Sequence, residues 1–202
     1  KALIIITSLI ASNWIKAAEH ADFKPQQQFN LAIDRVKNKE YLEAFTIFST
    51  LSENGWPEAQ FNLSLLYFSG LGSPKNFKLS LYWAWMAHLN LHSTANDRVD
   101  DIFGLITENL RNDVAQQVVD ELLAEANSGD QVAPLKLGKT YLGLFVEPNY
   151  EAAYVWLSIA QAYGDEQAPN FLEPASSQLA VEVILQQQEQ SQQIFQSIIS
   201  KN

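Results

Sequence analysis

Two histidines have a spacing that metal sites use. His88 and His92 lie four residues apart in the segment HLNLH, and this spacing can place two imidazoles on one face of a helix, as in many zinc sites. The sequence fixes no third ligand, although Asp97, Asp100 and Asp101 follow closely. One interpretation of the chain is therefore a small metal-binding protein or an enzyme centred on His88 and His92.

Other catalytic chemistries have little support in the sequence. No Gly-x-Gly-x-x-Gly segment follows a strand, and neither a Gly-x-x-x-x-Gly-Lys-Ser/Thr loop nor a Gly-x-Ser-x-Gly elbow occurs. Three histidines leave few bases for a serine nucleophile, and the lack of cysteine excludes thiolate zinc sites and disulfides. The acidic pairs Asp100/Asp101 and Glu121/Glu125 are explained by solvated helix faces. We therefore expect no catalytic residue, metal or cofactor, and favour a non-enzymatic protein.

The elements that carry these residues are predicted to be helices. A Gly-Leu-Gly-Ser-Pro break separates two runs in which apolar or small residues recur at spacing four, a spacing that is typical of one helix face. The two runs are Ala59–Leu63–Tyr67 and Leu79–Trp83–Ala87. No segment alternates with period two, so we expect no strand.

This helix–turn–helix unit occurs twice. Residues 129–163 repeat residues 55–89 with an offset of 74 that becomes 73 after the loop. A single hairpin cannot bury its apolar face alone, so neighbouring units must stack. The predicted segments are a leading hairpin 29–55, repeat one 56–91, intervening helices 94–126, repeat two 129–164 and a C-terminal helix 176–200.

Each unit resembles a Sel1-like repeat, a branch of the tetratricopeptide-type α/α solenoids. The positions that carry the resemblance in repeat one are Ala59, Leu63, Ser64, Tyr67, Gly70, Gly72, Ser80, Trp83 and Ala87. In repeat two they are Ala133, Leu137, Gly138, Tyr141, Gly143, Ala153, Trp156 and Ala160. The resemblance implies an all-α fold, a short α/α superhelical solenoid of helix–turn–helix repeats. In it the small and aromatic residues at these positions form structural seams, and the function is that of a protein–protein interaction scaffold or adaptor.

A second stripe on the first helix of each unit is a candidate partner-binding surface. Its members are Phe61, Leu65 and Phe68 in repeat one and Leu135, Lys139 and Leu142 in repeat two. In α/α solenoids the first helices of successive units line the inner surface, where a peptide or a helix of a partner protein can dock. The alternative is that the stripe packs against the preceding hairpin. The formal net charge of −10 argues against nucleic acid as the partner.

Residues 1–21 have the order of a secretory signal peptide. A lysine precedes a short apolar run, residues 2–10, and small residues follow it, with Ala17, Ala18 and Ala21 as candidate cleavage sites. The run is about half the length that spans a bilayer, so we expect no membrane insertion of the mature chain, 22–202. We expect export to the bacterial cell envelope, with a periplasmic or secreted location. An enzyme that acts in the envelope is the alternative function for an exported chain. A cytoplasmic protein that folds residues 1–21 as a helix is the other possibility.

Overall fold

A computed structural model describes residues 24–201 of the chain. Within that range there are ten helices and no strand, which confirms the predicted all-α solenoid. Residues 1–21, where the signal peptide is predicted, lie outside the described residues. The helices are α1 Pro25–Lys37, α2 Tyr41–Glu53, α3 Pro57–Ser69, α4 Phe77–Leu89, α5 Ala95–Phe103, α6 Glu108–Asn127, α7 Ala133–Gly143, α8 Tyr150–Ala162, α9 Ala168–Ser176 and α10 Val181–Ile199.

The leading hairpin consists of α1 and α2, and it packs through α2 onto α3. Its first helix begins at Pro25, four residues earlier than predicted. Proline is compatible with the first position of a helix, because an amide hydrogen at that position would have no partner within the helix. Buried Ala32 and Ala44 let the two backbones approach, and Phe48 fills the space beside them. The hairpin therefore closes the free side of repeat one.

The two Sel1-like hairpins, α3–α4 and α7–α8, have different residues at the point where their two helices cross closely. In the first hairpin, the Ser64 hydroxyl donates to the Ser80 carbonyl oxygen at 2.7 Å and the Ser80 hydroxyl donates to the Ser64 carbonyl oxygen at 2.9 Å. In the second, Gly138 has no side chain, and the Leu157 side chain occupies the space. Serine at position 64 is therefore compatible with the crossing because its hydroxyl finds a buried partner.

The predicted seams lie in the interior of the hairpins. Their small and aliphatic members are fully buried, and the aromatic members pack at the wider ends with part of each ring exposed, except for Trp156, which is buried. Such a pattern lets backbones approach at the narrow end while large rings fill the wide end. The buried seam residues are Ala59, Leu63, Ala87, Ala133, Leu137, Trp156 and Ala160, and the partly exposed ones are Tyr67, Trp83 and Tyr141.

The repeated unit is larger than a hairpin, because the helices that follow each hairpin are also repeated. An offset of 73 residues relates the first and last residues of α4 to those of α8 and the first and last residues of α5 to those of α9, and it relates the first residue of α6 to that of α10. We call α3–α6 module one and α7–α10 module two. Helix α9 was not predicted, and the C-terminal helix begins at Val181 rather than at residue 176.

The two modules share one hydrophobic core. Its buried residues come from α4, α5, α6, α7 and α8, with Ile198 added from α10. Trp85 crosses the junction and donates its indole hydrogen to the Thr140 hydroxyl at 3.0 Å. The Arg111 side chain also crosses it and donates to the carbonyl oxygens of Gly143, Leu144 and Phe145. No helix within residues 24–201 combines the length and the hydropathy needed to cross a bilayer.

Candidate functional site

A cleft lies where the two modules meet. Module one contributes residues of α4 and α5 to its walls, and module two contributes residues of α7 and α9. Its volume is about 280 Å³, and we call it the inter-module cleft. The lining residues are Trp85, His88, Asn96, Val99, Asp100, Phe103, Lys139, Leu142, Gly143 and Phe171.

The floor of the cleft depends on a close contact between Trp85 and Gly143. A Cβ atom added at Gly143 would lie 2.9 Å from the Trp85 ring, so any larger residue would push the indole away. The indole is also held by its hydrogen bond to Thr140. The aromatic floor, which module one supplies, is therefore held in place by module two.

Lys139 is a buried cation in the wall of the cleft. The residue is only 7% exposed, and no acidic group within residues 24–201 forms an ion pair with it. Its ammonium group lies 5.3 Å from the centre of the Phe171 ring, a cation–π contact. Burial lowers the pKa of Lys139, and Asp165 opposes that shift. The lysine thus has hydrogen-bond donors available for an acceptor that enters the cleft.

His88 stands on the opposite wall of the cleft as a neutral side chain. Its ring packs on Trp85 with centroids 4.9 Å apart. Burial lowers the pKa of His88 to about 4, and the charge of Lys139 acts in the same direction. At neutral pH the imidazole therefore offers one donor and one acceptor without charge.

His92 does not share a helix face with His88, contrary to the expectation from their spacing. Helix α4 ends at Leu89, and Leu91 adopts a left-handed conformation that redirects the chain before His92. The His92 ring stacks on Phe61 at 4.2 Å, away from the cleft. Within residues 24–201 no group of three histidine or acidic side chains lies where it could hold a metal ion. His88 and His92 therefore do not form the paired metal ligands that their spacing suggested.

The first half of the predicted partner-binding stripe packs inside module one. Phe61 contacts His92, and Phe68 lies between Phe77 and the guanidinium of Arg98, which is 4.8 Å from the ring centre. Leu65, on the same helix, is also partly buried. Phe61 and Phe68 thus contact α4, α5 and the segment that joins these two helices. The alternative expectation for the stripe was packing against the preceding hairpin.

The second half of the stripe divides between the core and the cleft. Leu135 is 6% exposed and belongs to a buried cluster with residues of α8 and α9, so it cannot face a partner as expected. Lys139 and Leu142 line the inter-module cleft. The cleft residues of α5 and α9 were missed because these two helices lie outside the stretches that carry the repeat pattern.

Module two has a groove at the position equivalent to the cleft. Gln161, Leu172 and Glu173 line it, 73 residues after His88, Val99 and Asp100. Its volume is about 380 Å³. Ile184 of α10 helps to line this groove, whereas residues of module two complete the inter-module cleft. The offset between the modules is thus a signal in the sequence that locates both grooves.

The tripeptide Gly138-Lys139-Thr140 has the letters that end a phosphate loop, and the eight residues from Ala133 follow its spacing except that the first glycine is alanine. The structure places all of them in helix α7. Gly138, Lys139 and Thr140 lie past its first turn, so their backbone amides bond along the helix and are not free to cradle a phosphate. The Thr140 hydroxyl donates to the Lys136 carbonyl oxygen and accepts from Trp85. The segment therefore serves packing.

Comparisons with known proteins found a family model and two solved structures to which this chain is similar. A family model described as the Sel1 repeat matches residues 57–84 and 135–160, one segment in each predicted repeat, which confirms the resemblance. A Sel1 repeat protein from Oxalobacter formigenes is 22% identical with a TM-score of 0.40, over 90% of this chain and 77% of that chain. The protein c5321, a protective antigen of uropathogenic Escherichia coli strains displaying an SLR fold, is 19% identical with a TM-score of 0.35, over 88% of this chain and 46% of that chain. No curated protein matches the chain.

Proposed function

We propose that this chain, which carries two Sel1 repeats, is a non-catalytic scaffold or adaptor that binds another protein in its inter-module cleft. The Sel1-repeat fold is generally a protein–protein interaction scaffold and is typically non-catalytic. One observation carries the proposal: both modules contribute to a single concave site with an aromatic floor. Concave sites with apolar floors and a few converging polar groups are where proteins bind ligands.

The lining of the cleft favours a polypeptide as the occupant. Phe103, Leu142 and Phe171 offer apolar contacts for side chains, and the Lys139 ammonium and the Asn96 amide offer donors for backbone carbonyl groups. The formal net charge of −10 repels phosphate backbones and anionic lipid surfaces, which supports a protein partner over either of these.

Affinity capture with paired variants tests this proposal. The full mature chain is immobilised, and proteins retained from the envelope fraction are quantified by mass spectrometry. In Lys139→Met combined with Asn96→Ala, donors are removed from the cleft while the apolar stem of residue 139 is kept. We expect recovery of the partner to fall about tenfold, the ratio that corresponds to about 1.4 kcal/mol.

Lys78→Met is the matched control, because it removes the same charge from α4 at a position outside the cleft. Equal retention of every captured protein by the cleft variant and the control would show that the cleft is not the binding site. If the unmodified chain retained nothing beyond what an unrelated helical protein retains, the scaffold proposal itself would be wrong.

We further propose that the chain is exported to the cell envelope. The support is the order of charge, short apolar run and small residues in residues 1–21. Mass spectrometry of the chain purified from its source cells tests this: we expect a mature N-terminus after one of the candidate alanines, at or near Ala21. A cytoplasmic chain that retains residues 1–21 would contradict export.

A further inference from the structure

A second cavity, of about 330 Å³, lies against other residues of α4 than those that line the inter-module cleft. Tyr82 and Trp83 of α4 contribute to it, and further walls come from the ends of α2 and α6 and from single residues of α3 and α7. None of its lining residues is shared with the inter-module cleft. We call it the acidic cavity.

Carboxylates outnumber cations around the acidic cavity. Glu53, Glu121 and Glu125 line it together with a single lysine, Lys136. Within residues 24–201 no hydrogen bond or ion pair engages the carboxylate of Glu125. Partial burial raises the pKa of Glu125, Lys136 opposes the shift, and Asp130 and Glu121 add to it. The cavity therefore carries negative charge that the protein itself does not balance.

A buried hydroxyl on the cavity wall has no partner. Ser52 is 2% exposed, and its Oγ atom makes no hydrogen bond in the described part of the chain. The other serine and threonine hydroxyls of α2, on Thr46, Ser49 and Thr50, each donate to the carbonyl oxygen four residues earlier. Buried polar groups in native proteins nearly always have a partner, so an exception that lines a cavity points to a ligand.

Two aromatic rings complete the wall beside the carboxylates. The Tyr82 and Trp83 rings meet edge to face, with centroids 4.9 Å apart. The Tyr82 hydroxyl donates to the carboxylate of Glu121, which also accepts from Gln117. These bonds fix Glu121 while leaving acceptor capacity on its oxygens. An aromatic wall next to oriented carboxylates is the environment that binds planar organic cations.

We propose that the acidic cavity binds the guanidinium group of an arginine side chain on a partner protein. The planar, forked donors of a guanidinium match the two oxygens of one carboxylate. Glu121 and Glu125 lie one helical turn apart on α6, so the donors that one carboxylate leaves free can reach the other. A metal ion is a poorer fit, because the described residues hold no cluster of three potential ligands. The inference rests on the proposed function only in taking a partner protein as the source of the arginine.

Titration of the full chain with N-acetyl-L-arginine amide, followed by NMR of the Trp83 indole and Ser52 amide signals, tests the proposal directly. We expect saturable shifts at these two residues that weaken as salt is added, since partly exposed charges are screened. In Glu121→Gln combined with Glu125→Gln, affinity should fall about tenfold, because charge-assisted hydrogen bonds are lost. Ser52→Ala should weaken binding by about twofold to threefold, because one neutral hydrogen bond is lost.

Glu166→Gln combined with Glu189→Gln is the matched control, because it removes the same charge at exposed positions outside the cavity. The control should bind the blocked arginine as the unmodified chain does. Equal loss in both double variants would show that net charge, rather than the cavity, attracts the cation. No saturable shift in the unmodified chain would overturn the proposal, whatever the outcome of partner capture at the inter-module cleft.

Two further ligands separate the sources of the cation. N-acetyl-L-lysine amide should bind at least about threefold more weakly, because an ammonium lacks the planar fork; equal affinity would overturn the guanidinium assignment. Free L-arginine should bind no more tightly, because the charges of its α-ammonium and α-carboxylate groups cancel and leave the same net charge as the blocked arginine. Tighter binding of free arginine would instead indicate a small-molecule ligand and would overturn the assignment to a partner's side chain.

Discussion

Leu91 has a left-handed backbone conformation at a position where module two has glycine. Its φ angle is 68°, and Gly164, 73 residues later, has a φ angle of 87°. In both modules the next residue donates its amide to the carbonyl oxygen five residues earlier, that of Ala87 or Ala160. The leucine side chain is 66% exposed and has little packing to compensate for the strain.

We therefore expect Leu91→Gly to stabilise the chain by about 1 kcal/mol, the cost of a left-handed conformation for a residue with a Cβ atom. Urea unfolding of the full chain measures the effect. Leu91→Ala should be nearly neutral, and Leu105→Gly, at another exposed leucine without a positive φ angle, should give no gain. A Leu91→Gly variant no more stable than the parent would contradict the strain argument.

Gly138 is required by packing rather than by backbone conformation. A Cβ atom at this position would lie 2.4 Å from Cγ of Leu157, in the crossing of α7 and α8. Gly138→Ala should therefore destabilise the chain by about 1–3 kcal/mol, the usual cost of overpacking. Gly104→Ala is the control, because nothing lies within 4 Å of its Cβ position and its φ angle is −71°. Equal unfolding free energies for the two variants would contradict the role of the crossing.

His88 links the stability of the fold to pH. Its pKa in the folded chain, about 4, lies below the ordinary value of 6.5, so the unfolded chain binds more protons between these values. This contribution to stability is present above pH 6.5 and is lost as the pH falls towards 4. His88→Gln places in module one the residue that module two has at Gln161. Between pH 7 and pH 4.5 we expect the melting temperature of the variant to fall less than that of the parent. An equal fall in both would show that His88 does not contribute to the pH dependence of stability.

At the scale of residues, the sequence predicted packing better than the site. The seam alanines and leucines could be identified because spacing four fixes a helix face, whatever surrounds the helix. The separation of His88 from His92 could not be predicted, since it depends on Leu91 adopting a conformation that leucine rarely adopts. Lys139 was placed in a binding stripe by its register alone. Its burial depends on α9, a helix that the sequence did not reveal.

At the scale of elements, α9 shows why helix prediction failed at one place. It is nine residues long and contains Pro169 near its start and Pro174 inside it. Proline inside a helix removes a hydrogen bond and normally ends the helix, so the segment was not predicted to be helical. The tertiary position of α9, packed on α8 as α5 is packed on α4, outweighs that preference. Only the 73-residue offset between modules indicates it.

Helices α6 and α10 occupy equivalent places but have different outer faces. Ala115 and Val119 of α6 are buried, whereas Gln188 and Gln192, 73 residues later in α10, are exposed. Helix α6 packs on both α4 and α7, and α10 packs on α8. A polar outer face disfavours stacking of α10 on a further apolar helix, whereas the apolar face of α6 is covered by module two.

Restoring the apolar face of α6 on α10 should therefore promote self-association. We expect Gln188→Ala combined with Gln192→Val to form dimers or larger species at concentrations where the parent chain is monomeric, as measured by sedimentation velocity. Gln186→Ala combined with Gln193→Val makes the same substitutions at other exposed positions of α10 and should leave the mass unchanged. Identical sedimentation of all three chains would contradict the role assigned to the outer glutamines.

At the scale of the whole molecule, Arg111 is the main polar connection between the modules. Its guanidinium donates to the consecutive carbonyl oxygens of Gly143, Leu144 and Phe145 at the end of α7, at distances of 3.1, 2.7 and 2.8 Å, and lies 3.6 Å from the centre of the Phe103 ring. Because Phe103 lines the inter-module cleft, the same side chain supports both the junction and the site.

Removing this connection should weaken the junction more than the loss of charge alone would. Arg111→Met leaves three carbonyl groups without their donor, and we expect a loss of about 2–3 kcal/mol in the free energy of unfolding, typical of partly buried bonds to a charged group. Arg35→Met removes the same charge from surface ion pairs with Glu40 and Glu43 and should have a much smaller effect. Equal effects of the two substitutions in urea unfolding would contradict the role of Arg111.

The inter-module cleft also has a mechanical consequence. Its walls belong to both modules, so any rotation of one module against the other changes its width, and an occupant that touches both walls resists that rotation. Ligand binding to the folded form alone adds to its stability in proportion to the logarithm of ligand concentration. A bound partner would therefore restrict the rotation of one module against the other, and the stiffness of the chain would indicate whether its cleft is occupied.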